Sequence, residues 1–190
     1  MIRYATTELA SACSKTENEI YSDPKFFDKT KYMNASFVAM EGSLGASNDW
    51  NGITLVSVLP NGSPIGRLVF DGLFGTFRII RSVGMFGYSQ FLPLTPEQRL
   101  EADLTWKNDL LNAIDLVFKK HNVWKIRFCV FIGNPAQRHY RFIVKRAGGA
   151  IVGYFKNETQ LRDGEMVDQE IYELYRDSWE QSVILGRIKL

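Results

Sequence analysis

The sequence predicts a mixed α/β or α+β sheet protein, and three features of its 190 residues lead to this fold class. Three β-branched and apolar runs between residues 53 and 86 are separated by short turns, as antiparallel strands are. Two segments with helical spacing, 95–121 and 135–147, follow and alternate with strand-like runs. A helical segment between two strands is long enough for a parallel crossover, so neither a helix bundle nor a β-sandwich fits.

Length and composition indicate one domain over residues 1–190 with an ordinary hydrophobic core. Hydrophobic residues make up 45% and charged residues 23% of the chain, which excludes wholesale disorder. The formal net charge of +2 does not favour a strongly basic protein that binds duplex nucleic acid, although a local basic patch is compatible with it.

The two cysteines, Cys13 and Cys129, are far apart and lie in no CxxC motif. We therefore expect neither a disulfide framework nor a metal site, and Cys129, inside a strand-like run, is expected to be a small core residue. The N-terminus lacks the uninterrupted apolar stretch of a signal peptide, and no run reaches the ~18 apolar residues of a membrane span. These features predict a cytoplasmic protein without a membrane contact.

Residues 1–48 are expected to hold an opening strand and helical segments, with Pro24 in the first turn of a helix. Three strands should follow, at 53–59, 65–70 and 76–86. The Asn61-Gly62 pair between the first two of these is a strong hairpin signal.

The helical region 95–121 contains two possible helix starts. Thr95, followed by proline, glutamate and glutamine, has the pattern of a capping box for a first helix. Asp103 or Thr105 is predicted to start a second helix, because the apolar residues after it keep a strict helical spacing.

The remainder of the chain is expected to alternate between strands and one helix. Residues 123–132 are predicted to be a buried strand, 135–147 a helix that two glycines terminate, and 150–156 another strand. The Asp163-Gly164 pair marks a turn before the last strand, 166–175.

Three segments in this order carry a resemblance to a known family: NGSPIGRLVF at 61–70, GNPAQRHYRFIVKRAGGAIVGYF at 133–155 and LRDGEMVDQEIYELYRDSW at 161–179. Together they resemble the GNAT N-acetyltransferase superfamily, and the overall pattern is closest to divergent members from phage and prophage genomes. The resemblance implies a mixed central sheet of about six to seven strands, with splayed fourth and fifth strands and flanking helices. It also implies an enzyme that transfers an acetyl or similar acyl group from acetyl-CoA to an amine of a protein or small molecule.

The sequence departs from the family pattern at two places: the loop that binds the diphosphate of the donor, and the spacing of one tyrosine. The glycine-rich loop of the family is matched imperfectly by RSVGMFG at 81–87, whose second glycine comes one position late. Tyr140 also stands one position away from the family's usual tyrosine spacing.

The resemblance assigns donor-binding roles to two stretches. Gly84, Met85 and Phe86 would offer main-chain groups to the pantetheine arm, unless Gly84 is simply a glycine within a strand. A helix beginning near Trp106, Lys107 and Asn108 would bind the diphosphate, with Lys107 adding a positive charge. The alternative for Lys107 is an ordinary position on a solvated helix face.

Three residues of the 134–146 region complete the implied site. Tyr140 resembles the tyrosine that protonates the departing thiolate, with core packing as the alternative. Asn134 resembles the asparagine beside the donor arm and also fits as a helix N-cap. Arg138 belongs to a basic helix face that fits either a phosphate contact or a solvated surface.

No residue is identified as the general base. Asp71, Asp168, Glu170 and Glu173 are candidates by their positions near strand ends, and a water relay is an equal alternative. The acceptor is an amine of unspecified identity. Two other functions remain open: a phage-type relative that modifies nucleic acid, and a binding domain that has the fold without the donor site.

Overall fold

The computed structural model describes residues 1–32, 52–72 and 78–190. The chain begins with strand β1 (Ile2–Tyr4) and helix α1 (Thr7–Ser22), which Thr6 caps through its side chain. A turn of 3-10 helix, Pro24–Phe26, then leads into the short helix α2 (Phe27–Thr30). The predicted strand and helices are confirmed to this point, and the helical prediction for residues 33–48 lies outside the described residues.

The first sheet is antiparallel throughout. It contains β1, β2 (Gly52–Val58), β3 (Pro64–Asp71) and β5 (Ser82–Gly87), which lie side by side in that order. The predicted hairpin between β2 and β3 is confirmed: Gly62 has a φ of 86°, a conformation that suits glycine, and the Asn61 side chain accepts a hydrogen bond from the Ser63 N–H.

The second sheet is mixed. Its order is β4 (Ile79–Ile80), β6 (Lys125–Phe131), β8 (Met166–Tyr175) and β7 (Ala150–Gln160). Strand β4 is parallel to β6, and the other two pairs are antiparallel. The third predicted strand, 76–86, is therefore shared between the sheets as β4 and β5, with residues 76–77 outside the described part of the chain.

Three more helices are described in the second half of the chain. They are α3 (Pro96–Lys120) after β5, α4 (Gln137–Arg146) after β6 and α5 (Arg176–Ile184) after β8. The prediction of a second helix start at Asp103 or Thr105 is wrong, because α3 is continuous over 25 residues. The Thr95 capping box alone starts the helix, and Asp103 accepts a hydrogen bond from the Ser89 side chain instead of capping a new one.

Two apolar cores lie on opposite sides of the first sheet. The larger core joins both sheets to α3, α4 and α5, and the smaller core packs α1 against β2 and the segment after β5. Strand β6 contributes to the larger core through alternate residues only, Ile126, Phe128 and Val130. The prediction that Cys129 is a core residue is therefore wrong, because it lies on the other face of β6 and is exposed.

Candidate active site

The most distinctive feature of the fold is a cleft between β5 and β6. Strand β4 pairs with β6 at only two positions, Ile79 with Lys125 and Ile80 with Ile126. After Arg81 the chain leaves β6, and β5 pairs with β3 alone while β6 pairs with β8. Two strands that begin as parallel neighbours thus separate, and the gap widens toward Gly87 and Phe131.

The side of β5 that faces this cleft carries main-chain groups that pair with no other strand of the described chain. Tyr88 donates its N–H to the Ile65 carbonyl at 2.8 Å, which fixes the hydrogen-bonding phase of the β3–β5 pair. Because alternate residues of an antiparallel pair turn toward the partner, Gly84 and Phe86 direct their main-chain groups to β3. Met85, the remaining residue of the predicted trio, directs its main-chain groups to the cleft.

Trp106 lies against the cleft wall through its side chain rather than through a helix start. Gly66 and Gly87 are opposite each other in the β3–β5 pair, and the Trp106 ring lies over both. A Cβ atom on Gly66 would come within 2.3 Å of Trp106 Cζ3, and one on Gly87 within 2.9 Å of Nε1. The two glycines therefore provide the flat surface that the indole needs.

Lys107 and Asn108 do not lie at a helix N-terminus. Both are exposed and occupy the interior of α3, more than two turns after its start at Pro96. The prediction that a helix beginning beside Lys107 provides N–H groups for a diphosphate is wrong, because interior N–H groups are bonded within the helix.

The true start of α3 offers few free donors. Thr95 and Gln98 bond to each other's main-chain N–H groups at 3.3 and 3.0 Å, and positions 93 and 96 are prolines. The N–H groups of four residues between β5 and α3 are also bonded within the chain: Tyr88, Phe91, Leu92 and Leu94. Glu97 adds a negative charge in the first helical turn. Residues 88–98 therefore leave few main-chain N–H groups for a diphosphate, chiefly those of Ser89 and Gln90.

Tyr140 points from α4 toward β6. Its ring packs against Phe128 at 5.5 Å between centroids with an interplanar angle of 84°, so the packing role considered for it is confirmed. Its hydroxyl forms no hydrogen bond within the described chain. Burial raises the pKa of Tyr140 to about 12, which keeps the phenol protonated at neutral pH. A protonated and unpartnered hydroxyl can donate a proton.

Asn134 and Arg138 lie at the start of α4. The Asn134 side chain accepts a hydrogen bond from the Ala136 N–H at 2.9 Å, so it caps the turn that leads into α4. Arg138 is exposed in the first turn of α4 and forms no ion pair with any residue of the described chain.

A buried carboxylate beneath α4 was not expected from the sequence in this role. Glu170 on β8 is fully buried, and the Arg141 guanidinium donates to both of its oxygens, with Nε at 2.8 Å from Oε2 and Nη2 at 2.8 Å from Oε1. Gln137, Tyr154 and Tyr172 also donate to it. Burial alone would favour the neutral acid, but the hydrogen bonds hold the pKa of Glu170 down to about 2.

Three of the four base candidates are engaged elsewhere. Glu170 is saturated with donors, and Glu173 bonds to Lys125, Arg127 and Tyr175, which against the effect of burial hold its pKa down to about 2. Asp168 accepts a hydrogen bond from the Asn157 N–H. These contacts leave no strongly basic lone pair on the two glutamates.

Asp71 differs from the other candidates. It ends β3 opposite Ser82, next to the point where the chain leaves β6, and burial raises the pKa of its carboxyl group. No hydrogen bond or ion pair to its side chain occurs within the described residues. Asp71 is thus the candidate whose carboxylate remains available to accept a proton.

A second buried charge lies on the α1 side of the first sheet. Arg67 and Tyr88 both donate to the Glu17 carboxylate, and all three side chains are buried. Burial raises the pKa of Glu17, and Arg67 opposes that effect. The sequence contains no spacing signal for this cluster, because its members come from three separate elements.

Residues 1–32, 52–72 and 78–190 contain neither a metal-binding cluster nor a membrane-spanning helix. No group of three or more histidine, cysteine, aspartate or glutamate side chains there could hold a metal ion. None of the helices in these ranges is long and apolar enough to cross a membrane.

Solved structures share this architecture over nearly the whole chain. A GNAT acetyltransferase from Streptococcus pneumoniae has a TM-score of 0.62 at 15% identity, covering 92% of this chain and 98% of its own. A spermidine N-acetyltransferase chimera from Vibrio cholerae and hSSAT has a TM-score of 0.65 at 14% identity, with 95% and 97% covered. The ribosomal-protein-S5-alanine acetyltransferase from Vibrio fischeri has a TM-score of 0.63 at 15% identity, with 94% and 93% covered.

The chain has the GNAT fold. The separation of β5 from β6 is the splay between the fourth and fifth strands that the sequence resemblance implied, since β4 and β5 together count as the fourth strand. Neither the protein-family models nor the curated proteins contain a match to this sequence. At identities of 14–15% the shared feature is the fold, and the roles of individual residues depend on the contacts that they make in this chain.

Proposed function

We propose that the protein is an acyltransferase that moves an acetyl or similar acyl group from a pantetheine thioester, of which acetyl-CoA is the commonest form, to an amine. The observation that carries this proposal is the separation of β5 from β6, followed by a helix whose Tyr140 packs against β6 and has a hydroxyl without a hydrogen bond in the described chain. An amide-bearing arm that enters the cleft can pair with the free edge of β5 as an added strand does.

The reaction needs few protein groups. The neutral amine nitrogen attacks the thioester carbonyl carbon, a C–N bond forms, the C–S bond breaks, and the amine loses one proton while the departing thiolate gains one. Tyr140 supplies the proton to sulfur, because its hydroxyl remains protonated at neutral pH and has no competing partner. The main-chain N–H of Met85 orients the arm.

Asp71 is the proposed proton acceptor for the attacking amine. Its carboxylate is exposed at the end of β3 and has no partner in the described chain, and its raised pKa brings it closer to the working pH than an ordinary aspartate. Asn134 and Arg138, at the start of α4, are expected to contact the distal part of the arm.

A thiol-release assay tests the proposal. Acetyl-pantetheine and acetyl-CoA are each incubated with the protein and with two acceptors, spermidine and a peptide with an N-terminal alanine. These acceptors are chosen because structures similar to this chain carry those names. Amine-dependent release of thiol with formation of the acetylated product supports the proposal. Absence of both transfer and donor binding would favour the non-catalytic alternative.

A further inference from the structure

The donor half of this site fits a pantetheine arm better than it fits a complete coenzyme A. The free edge of β5 suits the amides of the arm, whereas residues 88–98 leave only a few main-chain N–H groups, chiefly those of Ser89 and Gln90, for a diphosphate. In addition, the first two turns of α3 contain three carboxylates, Glu97, Glu101 and Asp103, against a single cation, Arg99. A nucleotide with its phosphates at this helix start would face like charge.

The helix that follows β6 has the reverse charge. Helix α4 contains four arginine or lysine residues and no aspartate or glutamate over Gln137–Arg146. Arg138 and Lys145 are exposed, seven residues apart and therefore on one face, and neither forms a hydrogen bond or ion pair within the described residues. Phe142 lies between them on the same face and is 55% exposed. We call Arg138, Phe142 and Lys145 the basic face of α4.

The Arg138 end of the basic face is the part that lies nearest to the end of β6. Helix α4 follows the end of β6 after only five residues, so its first turn borders the wide end of the cleft. Tyr140 and Val144 point from the same helix toward the core, while the basic face points to solvent. A ligand attached to the outer end of the arm would therefore contact Arg138 first.

We infer that the donor is an acyl-phosphopantetheine arm attached to an acidic carrier protein, which docks on the basic face of α4. This inference rests on the acyl transfer proposed above. Such a donor carries a single phosphodiester and no nucleotide, so it needs no diphosphate cradle. An acidic helix of the carrier complements Arg138 and Lys145, and an apolar carrier side chain covers Phe142. The chemistry is unchanged: the C–S bond breaks and the carrier's arm leaves as a free thiol.

The observations favour a protein partner over a nucleic acid. The net charge of the whole chain is only +2, and an exposed aromatic ring occupies the centre of the basic face. A surface for duplex nucleic acid would need more phosphate-binding cations spread along a stripe. The binding experiment therefore includes a DNA duplex as a competing ligand.

The experiment compares dissociation constants for the full chain with acetyl-pantetheine, acetyl-CoA, an acidic acyl carrier protein carrying acetyl-phosphopantetheine, the same carrier without its arm, and a DNA duplex. We expect the loaded carrier to bind at least tenfold more tightly than acetyl-CoA. The double substitution Arg138→Glu and Lys145→Glu should abolish that advantage, so that the loaded carrier binds no more tightly than acetyl-CoA. Lys15→Glu with Lys29→Glu, two exposed lysines of α1 and α2, is the matched charge-reversal control and should change nothing.

Each contrary result has a separate meaning. If acetyl-CoA binds as tightly as the loaded carrier, the inference is overturned while the acyl transfer stands. If the duplex binds more tightly than the loaded carrier and loses affinity in R138E/K145E, the face binds nucleic acid and the inference also fails. If acetyl-pantetheine neither binds nor reacts, the proposed acyl transfer itself fails.

Discussion

The indole of Trp106 lies so close to Gly66 that a Cβ atom there would come within 2.3 Å of the ring. Gly66→Ala should therefore destabilise the fold by about 1–3 kcal/mol, because the ring of Trp106 must move out of a packed position. Denaturant unfolding of the two proteins measures this difference.

Gly153→Ala is the matched control for that substitution. Its Cβ atom would lie 3.8 Å from the Ile171 side chain, an ordinary contact, so stability should change little. Trp106→Leu should make Gly66→Ala less costly, since the clash depends on the ring. A cost of Gly66→Ala that is the same in both backgrounds would contradict the proposed contact.

The buried Glu170 should make stability depend on pH in the acidic range. Its folded-state pKa of about 2 is below the ordinary value of 4.5. The ionised carboxylate therefore stabilises the folded state fully at pH values above 4.5. This stabilisation should disappear as the pH falls from about 4.5 to 2. Glu170→Gln should cost about 2–3 kcal/mol at pH 7, and the difference from the parent protein should shrink over the same range.

Glu101→Gln, on the exposed side of α3, provides the control for this titration. It should leave both the stability at pH 7 and its acid limb unchanged. If Glu170→Gln and the parent protein differ by a constant amount from pH 7 to pH 2.5, the ionised network is not what stabilises α4.

Tyr140→Phe separates a chemical role of the hydroxyl from its ring packing. The ring contact with Phe128 is retained, so the melting temperature should change little. Turnover should fall by roughly 10²-fold, with donor affinity unchanged, because the lost interaction exists mainly in the transition state. Full activity in the phenylalanine variant would leave Tyr140 as a packing residue only.

Lys107→Ala should leave donor affinity within about twofold of the parent, since Lys107 is exposed in the interior of α3 and away from its N-terminal donors. Calorimetry with acetyl-CoA and acetyl-pantetheine measures the effect. Selective loss of acetyl-CoA binding by tenfold or more would restore the phosphate role that the sequence suggested for this lysine.

Asp71→Asn tests the proposed base. The substitution removes the proton acceptor with little change in size, so kcat/KM should fall by about 10²-fold at neutral pH. The acid limb of the kcat/KM profile should also disappear, because that limb reports the free-enzyme pKa of the base. An unchanged limb would indicate a water relay instead.

The order of elements and the approximate positions of the strands followed from local signals in the sequence. Asn61-Gly62 specified a hairpin, and the predicted last strand, 166–175, coincides with β8. The splay of β5 from β6 was available only through the resemblance to GNAT proteins. No periodicity distinguishes a strand that changes sheets at Arg81 from one that continues.

Contacts between distant elements were beyond the sequence for a physical reason. The prediction of a helix start near Asp103 was wrong because Thr95 and Asp103 both match the local pattern of an N-cap. Only the hydrogen bond from Ser89 shows that the Asp103 side chain has another partner. The exposure of Cys129 likewise depends on which face of β6 packs against helices. Alternation along a strand separates its two faces but does not specify which one is covered.

The sequence by itself determined the fold class, the hairpin and the basic character of α4, because these depend on residues close together in the chain. The tertiary structure decided which charges are used and which are free. Arg141 is bound to a buried carboxylate 29 positions away, whereas Arg138, three residues before it, has no partner in the described chain. Side chains one helical turn apart have different roles because their partners come from other elements, and only packing brings those elements together.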